Sequence, residues 1–144
     1  MIYDSSMKKK KVKEVLEGVQ PALAYRTWCA HVLHKLYADH QEVSALPVQD
    51  QIAEDLAREL REKQEALCKS ISLYWDRVFD AEALICAIEE PVQRLILRMR
   101  YVDGMAWPDI ISELPSYGLN IGERQVFRIY SAALKSAQKV MFKE

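Results

Sequence analysis

The stretch from Pro91 to Gln138 leaves this chain the least freedom, because helix-length apolar patterns alternate there with residues that end helices. Leu95, Met99 and Val102 fall four and three apart, and Arg94 and Arg98 share another face, so the spacing predicts an amphipathic helix with a basic side. Asp103-Gly104 ends it. A second, short helix is expected from Trp107 to Leu114, begun on Pro108, whose missing N–H costs nothing in a first turn, and stopped by Pro115. After a loop of about seven residues, Asn120 and Glu123 stand at capping-box spacing and predict the start of a third helix. On it Val126, Ile129, Ala133 and Ala137 form the inward stripe, flanked by Tyr130 and Leu134.

That stripe leaves Arg124, Gln125, Arg128, Ser131 and Lys135 on the outside of the third helix. An arginine can fork onto guanine O6 and N7 and a glutamine onto adenine N6 and N7, while serine and lysine suit phosphate oxygens. Such a set can read bases and grip the backbone, so these five are the candidate DNA-binding residues. Trp107, at the entrance of the second helix, reads as a packing wedge rather than a contact, its indole N–H seeking a surface partner.

The pieces Arg94, Met99-Arg100-Tyr101-Val102-Asp103-Gly104, Trp107-Pro108-Asp109-Ile110, Arg124-Gln125-Val126-Phe127-Arg128-Ile129 and Ala133-Leu134 resemble the C-terminal helix-turn-helix domain of bacterial sigma factors. They resemble more closely the sigma-like late-transcription regulators of bacteriophages, of the RinA and ArpU type. The likeness covers roughly the last third of the chain, a usual domain size. It implies a non-enzymatic, sequence-specific regulator of transcription that binds double-stranded DNA, needs no cofactor and can meet RNA polymerase. One departure from the pattern is the stretch Pro115-Ser116-Tyr117-Gly118-Leu119, which lengthens a connection that is short in those families and bears on how the third helix docks.

Composition supports an all-α fold. Glycine and proline together number nine among 144 residues, and half the residues are hydrophobic, enough for a core. Charge is divided unevenly: residues 1 to 90 carry 12 basic and 16 acidic side chains, residues 91 to 144 carry 8 and 5. A modestly basic C-terminal part can meet a polyanion, and the acidic part turns away from it or binds protein. The expected division is therefore 1–80, an N-terminal helical region for oligomerisation or partner binding, and 81–144, a three-helix DNA-binding unit.

Upstream, Met1 to Lys11 reads as a frayed, solvated start with a helix from about Met7; its lysines can act as a basic arm on phosphates or simply as a solvated face. Gly18 and Pro21 mark a break, and from Pro21 to about His40 the broad apolar face of Leu23, Ala24, Tyr25, Trp28, Cys29, Val32 and Leu36 predicts a substantially buried helix. Gln41 to Pro47 reads as a loop. Next, Ile52, Leu56, Leu60, Leu67, Ile71, Tyr74 and Val78 recur at helical steps, interrupted by Lys63, with Glu54–Arg58 and Glu59–Lys63 pairs on the other face. Unbroken to Phe79, this helix spans roughly 45 to 50 Å. Such a helix needs a partner, either the preceding helix folded back as a hairpin or a second copy of the chain as a homo-oligomer. Asp80 to Ala87 reads as a separate connecting helix capped by Asp80, and Glu89-Glu90 place negative charge at the N-terminus that follows.

Three scattered cysteines, Cys29, Cys68 and Cys86, suggest no disulfide framework, and a reducing cytoplasm fits them. Cys29, His31 and His34 do not share one helix face, so neither a metal site nor a catalytic pair is expected. No stretch is long and apolar enough to span a membrane. Two other function classes remain open at this point: a small-terminase-like DNA-packaging factor, which joins a helix-turn-helix to oligomerising helices, and a protein-interaction module that contacts RNA polymerase without DNA.

Overall fold

A computed structural model of the chain describes residues 4–45 and 51–144, and every regular element in them is helical. In chain order they are α1 (Ser5–Glu17), α2 (Val19–Ser44), α3 (Gln51–Cys86), α4 (Pro91–Leu97), a π-helical turn (Arg98–Val102), α5 (Trp107–Glu113), a 3-10 turn (Leu114–Tyr117) and α6 (Glu123–Phe142). The loop expected from Gln41 to Pro47 is helical through Ser44, where α2 ends, and its residues 46 and 47, with 48–50, lie outside the described residues.

By their internal contacts the residues form two compact units, 22–76 and, discontinuous in sequence, 1–21 with 77–144. α1 belongs to the second of these units: its residues 4–11 are almost all exposed, as expected of a solvated start, but they are helical from Ser5 rather than frayed. Asp4 caps it, its Oδ1 accepting from the Met7 N–H at 2.8 Å, and Val12, Leu16 and the following Val19 are fully buried. That face packs α1 on α6 and on the π-helical turn.

The unit 22–76 consists of parts of α2 and α3. Tyr25 stacks on Tyr74 with ring centroids 4.3 Å apart, and the Arg26 guanidinium sits 4.9 Å from the Trp75 ring centre. With so short a connection after Ser44, that pairing makes the two segments antiparallel. A helix with one partner can cover only one stripe, and α2 is accordingly not substantially buried: Cys29 is enclosed, whereas Trp28 and Tyr37 are 55% and 59% exposed. On α3 Leu60, Leu67, Ile71, Tyr74 and Val78 lie on the partly covered side as expected, but its start turns Ala53 inward and leaves Ile52 and Leu56 exposed. Lys63 is exposed and paired with Glu59 at 3.4 Å. Arg58 pairs with Asp55 rather than Glu54.

α3 is one helix of 36 residues, about 54 Å long. The expected separate helix from Asp80 does not exist, because Val78, Ala81, Leu84 and Ile85 continue the buried stripe and keep the backbone helical through Asp80. Glu90 then caps α4, its carboxylate accepting from the N–H groups of Val92 at 3.2 Å and Gln93 at 2.8 Å.

α4, α5 and α6 close around Ile96, Met99, Ile110, Leu114 and Val126, with Leu95, Trp107, Ile111, Ile129 and Tyr130 packed against them. Two left-handed glycines make the corners: Gly104, with φ at 68°, after the π-helical turn, and Gly118, with φ at 80°, after the 3-10 turn. The stretch 115–119 is thus not a plain loop. Its 3-10 turn continues α5 past Pro115, is closed by Gly118 N–H to Pro115 O at 3.0 Å, and buries Leu114.

Candidate nucleic-acid interface

α6 begins at Glu123, and its N-cap is Gly122 in extended backbone, without a side-chain acceptor. The capping box expected at Asn120 and Glu123 is therefore absent, since the helix starts two residues too late for Asn120 to reach the first-turn amides. Those amides, left without a side-chain cap, keep the partial positive charge of a helix start facing outward.

From there Val126, Ala133, Leu134 and Ala137 are buried and Ile129 and Tyr130 half-buried, which is the expected inward side with Leu134 drawn into it. Arg124, Gln125, Arg128, Ser131 and Lys135 are all exposed. They form a ridge between two open grooves. Arg124, Gln125 and Arg128 line one of about 680 Å³ together with Glu90 and Gln93. On the other side Arg124, Phe127, Arg128, Ser131 and Lys135 line one of about 520 Å³. All five candidate residues thus share one continuous surface.

The basic side expected on the first helix of this trio is committed elsewhere. Arg94 Nη1 donates to the Ile88 carbonyl at 3.0 Å. Arg98 Nη1 meets Glu82 Oε2 at 2.5 Å, and that carboxylate raises the arginine's pKa further above its ordinary value. Arg100 donates to the Met105 carbonyl at 3.1 Å and lies 5.0 Å from the centre of the Trp107 ring. Arg124 and Arg128 make no ion pair or hydrogen bond among the described residues, so their five-donor forks remain available.

Aromatic packing fixes the direction in which α6 presents this ridge. Trp107 meets the edge of Tyr130 at 4.7 Å and tilts against Phe127 at 4.9 Å, so it wedges α5 onto α6. The Tyr101 and Tyr130 hydroxyls lie 2.5 Å apart, and Ser136 donates to Gln93 Oε1 at 2.6 Å, tying α6 to α4. Burial, helped by Tyr130, pushes the Tyr101 phenol well above its ordinary pKa.

Sequence reasoning weighed the N-terminal lysines as a basic arm but did not place one of them beside the ridge. Lys9 lies in a groove with Ser131, Lys135 and Lys139, and the spacing of Val12, Leu16 and Val19 was the available signal that its helix is anchored. Elsewhere, Cys29 is buried while His31 and His34 are exposed, and among the described residues no group of three His, Cys, Asp or Glu side chains could hold a metal. No described helix is long and apolar enough to cross a membrane. Compared with protein-family models, curated proteins and solved structures, the chain matches none of them.

Proposed function

We propose that the chain is a sequence-specific regulator of transcription that binds double-stranded DNA, in the manner of the sigma-like phage late-gene regulators it resembles. In this reading α4, α5 and α6 act as a helix-turn-helix unit with α6 as the recognition helix. The observation that carries it is the division among the arginines. Arg94, Arg98 and Arg100 are bound by the protein's own carbonyls and carboxylate, whereas Arg124 and Arg128 stand exposed and uncommitted on one ridge with Gln125. Leaving two arginines and a glutamine without protein partners beside an uncapped helix start suits a polyanion that also carries base edges.

Arg124, Gln125 and Arg128 then face base edges in the major groove, and Ser131 and Lys135 face the backbone. In this reading the chain acts by binding, without catalysis or a cofactor. The unit 22–76, with Trp28, Tyr37 and Leu73 exposed, is the part left for a second copy of the chain or for RNA polymerase.

Selection of a binding site from random duplexes tests the proposal. The wild type should enrich one sequence; Arg128→Ala should weaken that site by about 1 to 3 kcal/mol and relax its preference. Lys135→Ala should weaken all duplexes alike and lower the magnitude of the log K against log salt slope by about one unit. If no sequence is enriched and both variants bind duplex as the wild type does, the reading is wrong. Native mass measurement showing a closed ring would favour the packaging alternative.

A further inference from the structure

The exposed stripe of α6 is longer than a DNA groove is wide. Arg124, Arg128, Ser131, Lys135 and Lys139 follow one another along α6 at steps of three or four, a run of about 22 Å at 1.5 Å per residue. The major groove of B-DNA is about 12 Å wide. With Arg124 and Arg128, at the N-terminal end of α6, at base edges and the helix inclined across the groove, the far end of the stripe lies over a phosphate strand.

At that far end α1 packs on α6. The open groove between them, about 500 Å³, is lined by Ser5, Lys9, Ser131, Lys135, Lys139 and Glu144, among others. Lys9, Lys135 and Lys139 are exposed, and none makes an ion pair among the described residues. The one carboxylate in the groove, Glu144, is held by Lys8, whose ammonium also lies 5.5 Å from the centre of the Phe142 ring. Three lysines and two serines from two helices therefore line a groove whose one carboxylate side chain is already paired with Lys8. Another lysine of α1, Lys11, instead lies 3.9 Å from Glu14.

We propose that this α1–α6 groove is a phosphate-backbone site for double-stranded DNA, in which Lys9 joins Lys135 and Lys139 on the strand that borders the major groove. The proposal rests on the DNA-binding reading of α6. Ammonium groups are compact point charges without the planar fork that reads guanine, so the site adds affinity and salt dependence but no sequence preference.

The test uses the full chain, a duplex with the selected site, a scrambled duplex and a salt series. Lys9→Ala and Lys139→Ala should each lower the magnitude of the log K against log salt slope by about one unit on both duplexes, leaving the ratio of their affinities unchanged. Lys9→Arg should keep the wild-type slope, and Lys11→Ala should leave it unchanged. Circular dichroism melting should show all four variants folded as the wild type. If Lys9→Ala and Lys139→Ala behave like Lys11→Ala while Lys135→Ala still flattens the slope, the groove proposal is overturned and the α6 reading stands. A changed affinity ratio in Lys139→Ala assigns it to bases and also overturns the proposal. A wild type that binds neither duplex overturns both.

Discussion

The side-chain amide of Gln20 donates to the backbone carbonyl of Val102 at 2.6 Å and to that of Tyr101 at 3.2 Å. One glutamine near the start of α2 thereby satisfies two carbonyls at the end of the π-helical turn, groups that a helix end leaves without partners. Gly104 sits beside it with φ at 68°, and a Cβ there would come within 2.9 Å of the Gln20 Cδ. Gln20→Ala should destabilise by about 1 to 2 kcal/mol in urea unfolding. Gly104→Ala should cost at least about 1 kcal/mol from the left-handed backbone alone. In the double variant the clash is gone but the backbone strain remains, so the two effects should sum to less than their separate values. Strict additivity would show that the two residues do not constrain each other.

The arginines should separate stability from binding. Arg98 and Glu82 are 43% and 30% exposed at their side chains, so solvent screens the pair and Arg98→Ala should cost only about 1 kcal/mol of stability. Its DNA affinity should stay that of the wild type. Arg128→Ala should do the reverse, with thermal unfolding unchanged and affinity reduced. Paired melting and fluorescence-anisotropy titrations check this, and equal DNA losses in the two variants would contradict the proposed ridge.

Trp107 touches Tyr130 and Phe127 at once. Its truncation to Ala should cost about 3 kcal/mol, seen as a lower unfolding midpoint with and without DNA. A DNA defect at unchanged stability would instead make Trp107 a contact.

The Tyr101 phenol titrates above its ordinary value of 10.0, first because burial disfavours the phenolate and then because of its bond to Tyr130. The folded state therefore holds this proton more tightly than the unfolded one. The resulting stability is fully present below about pH 10 and is lost as pH rises toward the folded-state value. Unfolding of wild type and Tyr101→Phe between pH 8 and 11 should show a steeper alkaline decline in the wild type, on the order of 1 kcal/mol or more by the top of the range. Every other group is common to both proteins, so the difference between them is the quantity to read.

Amphipathic spacing made α5, α6 and the inward side of α6 legible, because a three- or four-residue apolar repeat backed by polar residues has one way to pack. It misled where tertiary context decides. The lysine run concealed Val12, Leu16 and Val19, whose burial anchors α1. Asn120 and Asp80 are good capping types, yet a cap acts only where the helix starts, and the buried run through Ala81, Leu84 and Ile85 carries α3 past Asp80. The apolar face of α2 overstated its burial, since periodicity reports what a helix could cover and not how many neighbours it has. Nor does spacing tell an arginine bound to a carbonyl, such as Arg94, from a free one, such as Arg128.

The pairing of α1 with α6 also sets an order of events during synthesis. Lys8 and Glu144, joined in the fold, are 136 residues apart. At roughly 5 to 20 residues per second on the ribosome, α1 waits about 7 to 27 seconds for its partner. Through that interval Val12 and Leu16 have no α6 to cover them, and an apolar helix face on a nascent chain is a target for chaperones. The hairpin segments of α2 and α3 emerge before α6 and can pair first, so α6 completes the α1 unit only after the hairpin between them has formed.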